Sequence, residues 1–250
     1  MEKESLKGKV AVVTGGSSGI GAAAVRLFAQ EGASVYVGYN KGLDRAEKLI
    51  AALPGSGHKP VHIVLEDSAT IRAAARLVGD AHRRADIVVN SAGFTQPVAH
   101  GDLDALTDEL IDSLMVANVR APFAMIRAFA PYLKASRDGV VINVSSISGF
   151  TGSGSSVAYC AAKGALDTMT KALARALGPE IRVLCVSPGA VNTDFVAGRG
   201  LPQLEKIAQA TPLKRIVQPE DVAETILACV THLKTTTGAI VTCDGGRFLN

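Results

Sequence analysis

The chain predicts a single-domain α/β fold, a doubly wound parallel sheet of about seven strands with helices on both faces. Three observations carry this. Short apolar runs alternate with amphipathic segments along all 250 residues. The runs are apolar throughout, as strands buried on both faces must be, and that is the condition of a parallel sheet. Apolar residues make up 48% of the chain, enough for a core without disulfide or metal staples, and no repeat or linker divides it.

The elements follow in order. Residues 10–13 read as a strand closed by Thr14-Gly15-Gly16, and 19–31 as a helix with Ile20, Ala24, Leu27 and Phe28 at helical spacing and Gly32 as its stop. A strand at 34–37 precedes a helix at 43–53, which Pro54-Gly55 closes. A strand at 61–65, a helix at 70–83 and a strand at 86–90 complete the first half. Residues 104–136 hold one or two helices, with Pro122 near the start of the second. Strands at 140–144, 182–186 and 239–243 are separated by helices at 159–177 and 219–233. The irregular stretch 191–216 lies beyond the carboxyl end of a strand, where α/β sheets bind ligands, and is expected to act as a lid.

The net charge is +3 with both signs mixed, so no basic block suggests nucleic acid. No apolar run approaches the ~18 residues of a membrane span. The opening MEKESLKGK lacks the apolar stretch of a signal peptide, and a cytoplasmic location is expected. Cys160, Cys185, Cys229 and Cys243 form no C-x-x-C pair, which fits a reducing compartment and no metal site.

Thr14-Gly15-Gly16-Ser17-Ser18-Gly19-Ile20-Gly21 joins a strand to a helix. Glycines there let backbone N–H groups approach a pyrophosphate at the positive end of the helix. About 20 residues further on, a carboxylate would bond the ribose 2′-hydroxyl of NAD. Here the second strand ends in Tyr39-Asn40-Lys41, with no carboxylate and with Lys41 and Arg45 available to a 2′-phosphate. NADP(H) is therefore expected in preference to NAD(H).

Tyr159 and Lys163 stand four apart at a helix start, on one face. Ser146 follows a strand thirteen residues earlier, across a glycine-bearing loop. A phenol is a poor acid/base near neutral pH unless a cation lowers its pKa, and Lys163 is placed to do so. Ser146 can hold a substrate oxygen as charge develops on it. The chemistry this suits is proton transfer to a carbonyl oxygen as hydride reaches its carbon.

With Thr14–Gly21, Asn90-Ser91-Ala92-Gly93, Asn118, Ser146, Tyr159-x-x-x-Lys163, Pro188-Gly189 and Asp244-Gly245-Gly246, the chain resembles the classical short-chain dehydrogenase/reductases over nearly its full length. The resemblance implies a Rossmann fold and a catalytic tetrad of Asn118, Ser146, Tyr159 and Lys163. It implies cofactor contacts from Gly15, Ser17, Ser18, Gly19, Ile20 and Gly21, from Asn90, Ala92 and Gly93, and from Pro188, Gly189, Val191 and Thr193. Lys163 would also reach the nicotinamide ribose. An aspartate often follows the third strand in this family; here Val64 and Leu65 stand there, with Leu65 as the expected adenine contact. Ser18 occupies a position where NADP-preferring members often carry a base, which weighs against the cofactor preference given above.

Substrate contacts are expected from Phe94, Gln96, Ser148, Phe150 and Phe195, segments that suit an uncharged or partly apolar ketone. The likeness is to 3-oxoacyl-carrier-protein reductases and related ketoreductases. It implies a homotetramer built through the helices of Asn118 and Tyr159 and the last strand region, including residues 247–250. The alternative is a non-catalytic dinucleotide-binding regulator on the same fold, which would need no acid/base group.

Overall fold

A computed structural model describes residues 4–249. Seven strands form one parallel sheet: β1 (Val10–Thr14), β2 (Ser34–Tyr39), β3 (Lys59–His62), β4 (Ile87–Asn90), β5 (Gly139–Val144), β6 (Ile181–Pro188) and β7 (Ile240–Cys243). Their spatial order is β3-β2-β1-β4-β5-β6-β7. The order reverses between β1 and β4, which opens the crevice where doubly wound sheets receive ligands.

The helices are α1 (Gly19–Gln30), α2 (Leu43–Ala51), α3 (Ser68–His82), α4 (Asp108–Met115), α5 (Ala121–Ala135), α6 (Ser148–Thr151), α7 (Val157–Leu177), α8 (Leu201–Gln209) and α9 (Pro219–Thr231). Side chains alternate across the strands into two cores. In β1, Ala11 and Val13 join α1, α2 and α9 on one face, where Phe28 and Ile226 are fully buried. Val10 and Val12 point the other way, to Ile71, Met125 and Phe129 of α3 and α5. The continuous apolar runs of the sequence are the direct consequence of this two-sided burial.

Local chemistry sets the helix starts. The Asp67 carboxylate accepts from Ala69 N at 2.7 Å and caps α3. The Ser156 hydroxyl accepts from Tyr159 N at 3.2 Å and starts α7 two residues before the expected position. At the amino edge of the sheet the buried Asp86 carboxylate accepts from Val10 N at 2.9 Å and pairs with Lys9 and Arg84.

Three expectations change. The third strand is Lys59–His62, not 61–65, so Leu65 lies in the turn after it. The Thr70 hydroxyl accepts from Val64 N at 3.0 Å and so ends the ladder early. The stretch 191–216 is not wholly irregular, because α8 lies within it. Between α4 and α5 the chain runs without a break through a π-helical turn, Val116–Arg120, which contains Asn118. Of the chain ends read from sequence, residues 1–3 and Asn250 lie outside the described residues.

Candidate active site

The glycine turn sits at the crevice. Gly15 has φ +63°, and a Cβ there would lie 3.1 Å from Ala92 Cα, so the β1 and β4 loops meet backbone to backbone. The Thr14 hydroxyl holds this approach by accepting from Ser91 N and Ala92 N, both at 3.0 Å. Gly21 is tighter, since its Cβ would stand 2.3 Å from Gly15 O. Ser18 is the N-cap of α1 but makes no side-chain cap, and the first turn carries no acid. Ser18 and Gly19 are exposed, Ser17 and Ile20 half-buried. An open, positive helix end under a cradle that a Cβ would fill fits the pyrophosphate of a dinucleotide.

Thr193 lies across this turn, with its Cγ2 3.4 Å from where a Gly19 Cβ would be. Its segment is fixed below by Val191, which bridges to Val217, and by Gly189 N, which donates to Cys243 O at 3.1 Å. Pro188 O accepts from Ile147 N at 3.2 Å, tying the ends of β5 and β6. At the end of β2 Tyr39 is half-buried, and past it Asn40 and Lys41 are exposed. The Arg45 guanidinium folds over Gly42, 2.5 Å from where a Cβ would stand, beside Lys41 in sequence.

Asn90 is buried and its amide donates to Asn143 Oδ1 at 2.8 Å, while its own Oδ1 has no partner among the described residues. The Asn118 amide donates to Phe94 O and Leu114 O, both at 3.0 Å. Its Oδ1, also without a partner, faces Gly93, where a Cβ would come within 2.6 Å. Gly93 is thus the residue that leaves room for the Asn118 carbonyl. A π turn has one residue more than an α turn, and such turns recur at functional sites.

Ser146, Tyr159 and Lys163 are all buried at the carboxyl edge of the sheet. The Ser146 hydroxyl donates to Ser148 Oγ at 3.1 Å and accepts from Ser148 N at 3.2 Å. Lys163 Nζ donates to Val144 O at 3.0 Å and lies 5.6 Å from the Tyr159 ring centroid. Burial pushes the Tyr159 phenol up, and a hydrogen bond with Ser146 and the Arg199 guanidinium pull it partly back. Burial draws Lys163 down to about 8, against the pull of Cys185 and Asp167. This corrects the expected lowering of the Tyr159 pKa by Lys163. Desolvation outweighs charge here, with the Arg199 guanidinium among the groups that pull the phenol back.

The lysine makes a pH prediction. Its ordinary value is 10.5 and its folded value about 8, so between these the unfolded chain holds more protons and stability rises with pH. Below pH 8 the cost of burying the ammonium is present in full. Lys163→Met is expected to flatten the rise in urea midpoint between pH 8 and 10. An unchanged slope would mean that the buried charge lies elsewhere.

A cavity of about 640 Å³ opens in front of Tyr159 and Ser146. Of the five residues expected to meet substrate, Ser148 and Phe195 line it, and the Phe195 ring lies 6.0 Å from that of Tyr159. The other three do not line it. Phe94 packs behind Tyr159 with Leu114, Gln96 is exposed, and Phe150 turns outward onto Phe248. Sequence reasoning missed Arg247 as a lining residue. Its signal was Asp244-Gly245-Gly246, a turn in which the Asp244 carboxylate accepts from Gly246 N and Phe248 N and folds the segment back over Thr211 and Pro212. Arg199 and Lys206 also line the cavity.

Crevice, glycine turn and buried Ser-Tyr-Lys group together define a dinucleotide-binding α/β oxidoreductase. A family model described as Enoyl-(Acyl carrier protein) reductase matches residues 15–247. The chain is 34% identical to a 3-oxoacyl-acyl-carrier-protein reductase of Thermotoga maritima over 98% of this chain and 99% of that protein. It is also 34% identical to a 3alpha-hydroxysteroid dehydrogenase of Mediterraneibacter gnavus, over 96% and 97%. A crystal structure of a 3-ketoacyl-(acyl-carrier-protein) reductase from Brucella melitensis, complexed with NADH, superposes with TM-score 0.87 at 29% identity, covering 97% and 99% of the two chains.

The chain belongs to the short-chain dehydrogenase/reductase family. It is an oxidoreductase of the CH–OH/C=O class that uses a nicotinamide dinucleotide. Among the described residues no helix is long and apolar enough to cross a membrane.

Proposed function

We propose that the protein is a ketoreductase that moves hydride between NADP(H) and a carbonyl/secondary alcohol pair, with 3-oxoacyl or similar small ketones as substrates. The observation that carries this is the Tyr159 phenol, buried on the wall of the cavity beside Ser146 with Lys163 behind it. The name of the Thermotoga relative supports the substrate class.

Ser146 and Tyr159 would bind the carbonyl oxygen. As the carbonyl is reduced, Tyr159 gives its proton to that oxygen. Lys163, within reach of the Tyr159 ring, helps to restore the proton and holds the nicotinamide ribose. Asn118, with its free carbonyl turned to Gly93, continues the relay toward solvent. Bound reduced nicotinamide supplies the hydride. Gly15, Ser17, Ser18, Gly19, Ile20 and Gly21 would hold the pyrophosphate, Asn90, Ala92 and Gly93 would flank the cofactor, and Pro188, Gly189, Val191 and Thr193 would border the nicotinamide. Leu65, in its turn, would meet the adenine. Residues 191–216 form the lid.

Lys41 and the folded-back Arg45 support NADP(H), since both are cations in the segment that follows β2, Lys41 in the loop and Arg45 in the first turn of α2. Lys41→Ala is expected to weaken NADPH about tenfold and NADH little, read by fluorescence titration; equal weakening would refute the preference. Exposed Phe248, Leu249 and Leu213 near the last strand support a homotetramer. The four free cysteines support a cytoplasmic location. The main test is a panel of ketones with NADPH and NADH, following absorbance of the reduced nicotinamide. Turnover with NADPH ahead of NADH is expected, and no turnover of any ketone would end the reading.

A further inference from the structure

We infer that the substrate carries a carboxylate within a few bonds of its reacting carbonyl, and that Arg199, seconded by Arg247, holds it. This rests on the ketoreductase reading and, among its small ketones, selects free oxo acids in place of neutral ketones and of esters or thioesters.

The cavity has three cations on its wall, Arg199, Lys206 and Arg247, and no acidic residue among those that line it. None of the three forms an ion pair among the described residues. The carboxylate closest in sequence to Arg247, that of Asp244, is buried and engaged by Gly246 N and Phe248 N at 2.9 and 2.8 Å. Arg199 is half-buried. One of its terminal nitrogens donates to Val191 O at 3.2 Å, and its buried Nε has no partner among the described residues. Burial and the Arg247 charge both hold its guanidinium below the ordinary value. Two like charges at one wall, one of them short of an acceptor, form a site that an anion would stabilise.

Distance along the substrate follows from which groups line the same cavity. Arg199, Phe195 and Tyr159 line one cavity, with the Phe195 and Tyr159 rings 6.0 Å apart, so a carboxylate on Arg199 shares that cavity with an oxygen held by Tyr159. A phosphate at the far end of a carrier arm would be many bonds away. The site is also separate from the dinucleotide cradle. Thr193 faces Gly19 across the glycine turn, whereas Arg199 lines the cavity with Ser146, Phe195 and Val196. The apolar walls leave room for a short chain beyond the carboxylate.

The redox step is unchanged. The carbonyl gains hydride and a proton to become an alcohol, the reduced nicotinamide becomes oxidised, and the carboxylate takes no part in bond changes.

The test compares acetoacetate with methyl acetoacetate, using the full chain with NADPH and with NADH. Wild type is expected to favour the acid by tenfold or more in kcat/KM. In Arg199→Gln that ratio should fall to near one, through KM of the acid rather than kcat. Arg199→Lys, which keeps the charge but loses the planar fork, should retain part of the preference. Calorimetric titration with butyrate and butyramide gives a readout without turnover. Butyrate should bind, and at least tenfold more weakly in Arg199→Gln, with a thermal melt to confirm folding. A wild-type preference for the ester, an unchanged ratio in the variant, or no butyrate binding would overturn the inference. Butyrate binding that depends on Arg199 in a chain that reduces no ketone would leave the anion site standing and bring down the ketoreductase reading instead.

Discussion

Tyr159→Phe is expected to remove turnover by roughly 10²–10⁴-fold, the usual share of a positioned acid/base group, while NADPH affinity changes less than about twofold. The ring stays buried against Leu114 and Ala158 and beside Phe195, so the fold loses no packing. Only the hydroxyl, with its proton and its hydrogen bond to Ser146, disappears. Single-turnover rates and fluorescence titration of the same preparation separate the two effects. A variant within tenfold of wild type would mean that another group protonates the oxygen.

The second large effect belongs to the glycine turn. Gly21→Ala puts a methyl 2.3 Å from Gly15 O and 2.8 Å from its carbonyl carbon, both backbone atoms that cannot swing aside. The turn has to open, and the cradle with it. Strain of this kind costs about 1–3 kcal/mol, so dinucleotide affinity should drop by tenfold or more, with a lower melting temperature. Gly8→Ala is the control. It has φ +74° but open space around it, far from the crevice, so it carries backbone strain alone. If both variants bind NADPH as wild type does, the close packing of Gly21 on Gly15 is not what shapes the site.

Much of this was legible in the sequence because the constraints are local. A run such as Val10–Val13 is apolar on every residue since both faces of β1 meet a core. Tyr159 and Lys163 declare themselves by spacing on a helix whose start Ser156 fixes. What stayed hidden depends on partners distant in sequence. The third strand was misplaced because Thr70, several residues on, takes the amide of Val64. The direction of the Tyr159 pKa could not be read from a neighbouring lysine alone, since burial is set by the whole fold. Arg247 came to the cavity through a turn of two glycines at φ +67° and +84°, far from every other lining residue in the chain. With Arg199 and Lys206 it gives the cavity wall a cationic character.

The turn at Val116–Arg120 takes up one extra residue, while the regular helix on either side of it is intolerant of length changes. Each residue advances an α-helix by about 100°. A single deletion in the regular first turns of α5 would swing everything upstream around the axis relative to the rest of that helix. Leu114, fully buried, would rotate out of its pocket, and the amide now shared between Phe94 and Leu114 would point away from both. Variation in this stretch is therefore confined to substitution: side chains can be exchanged, but the residue count cannot.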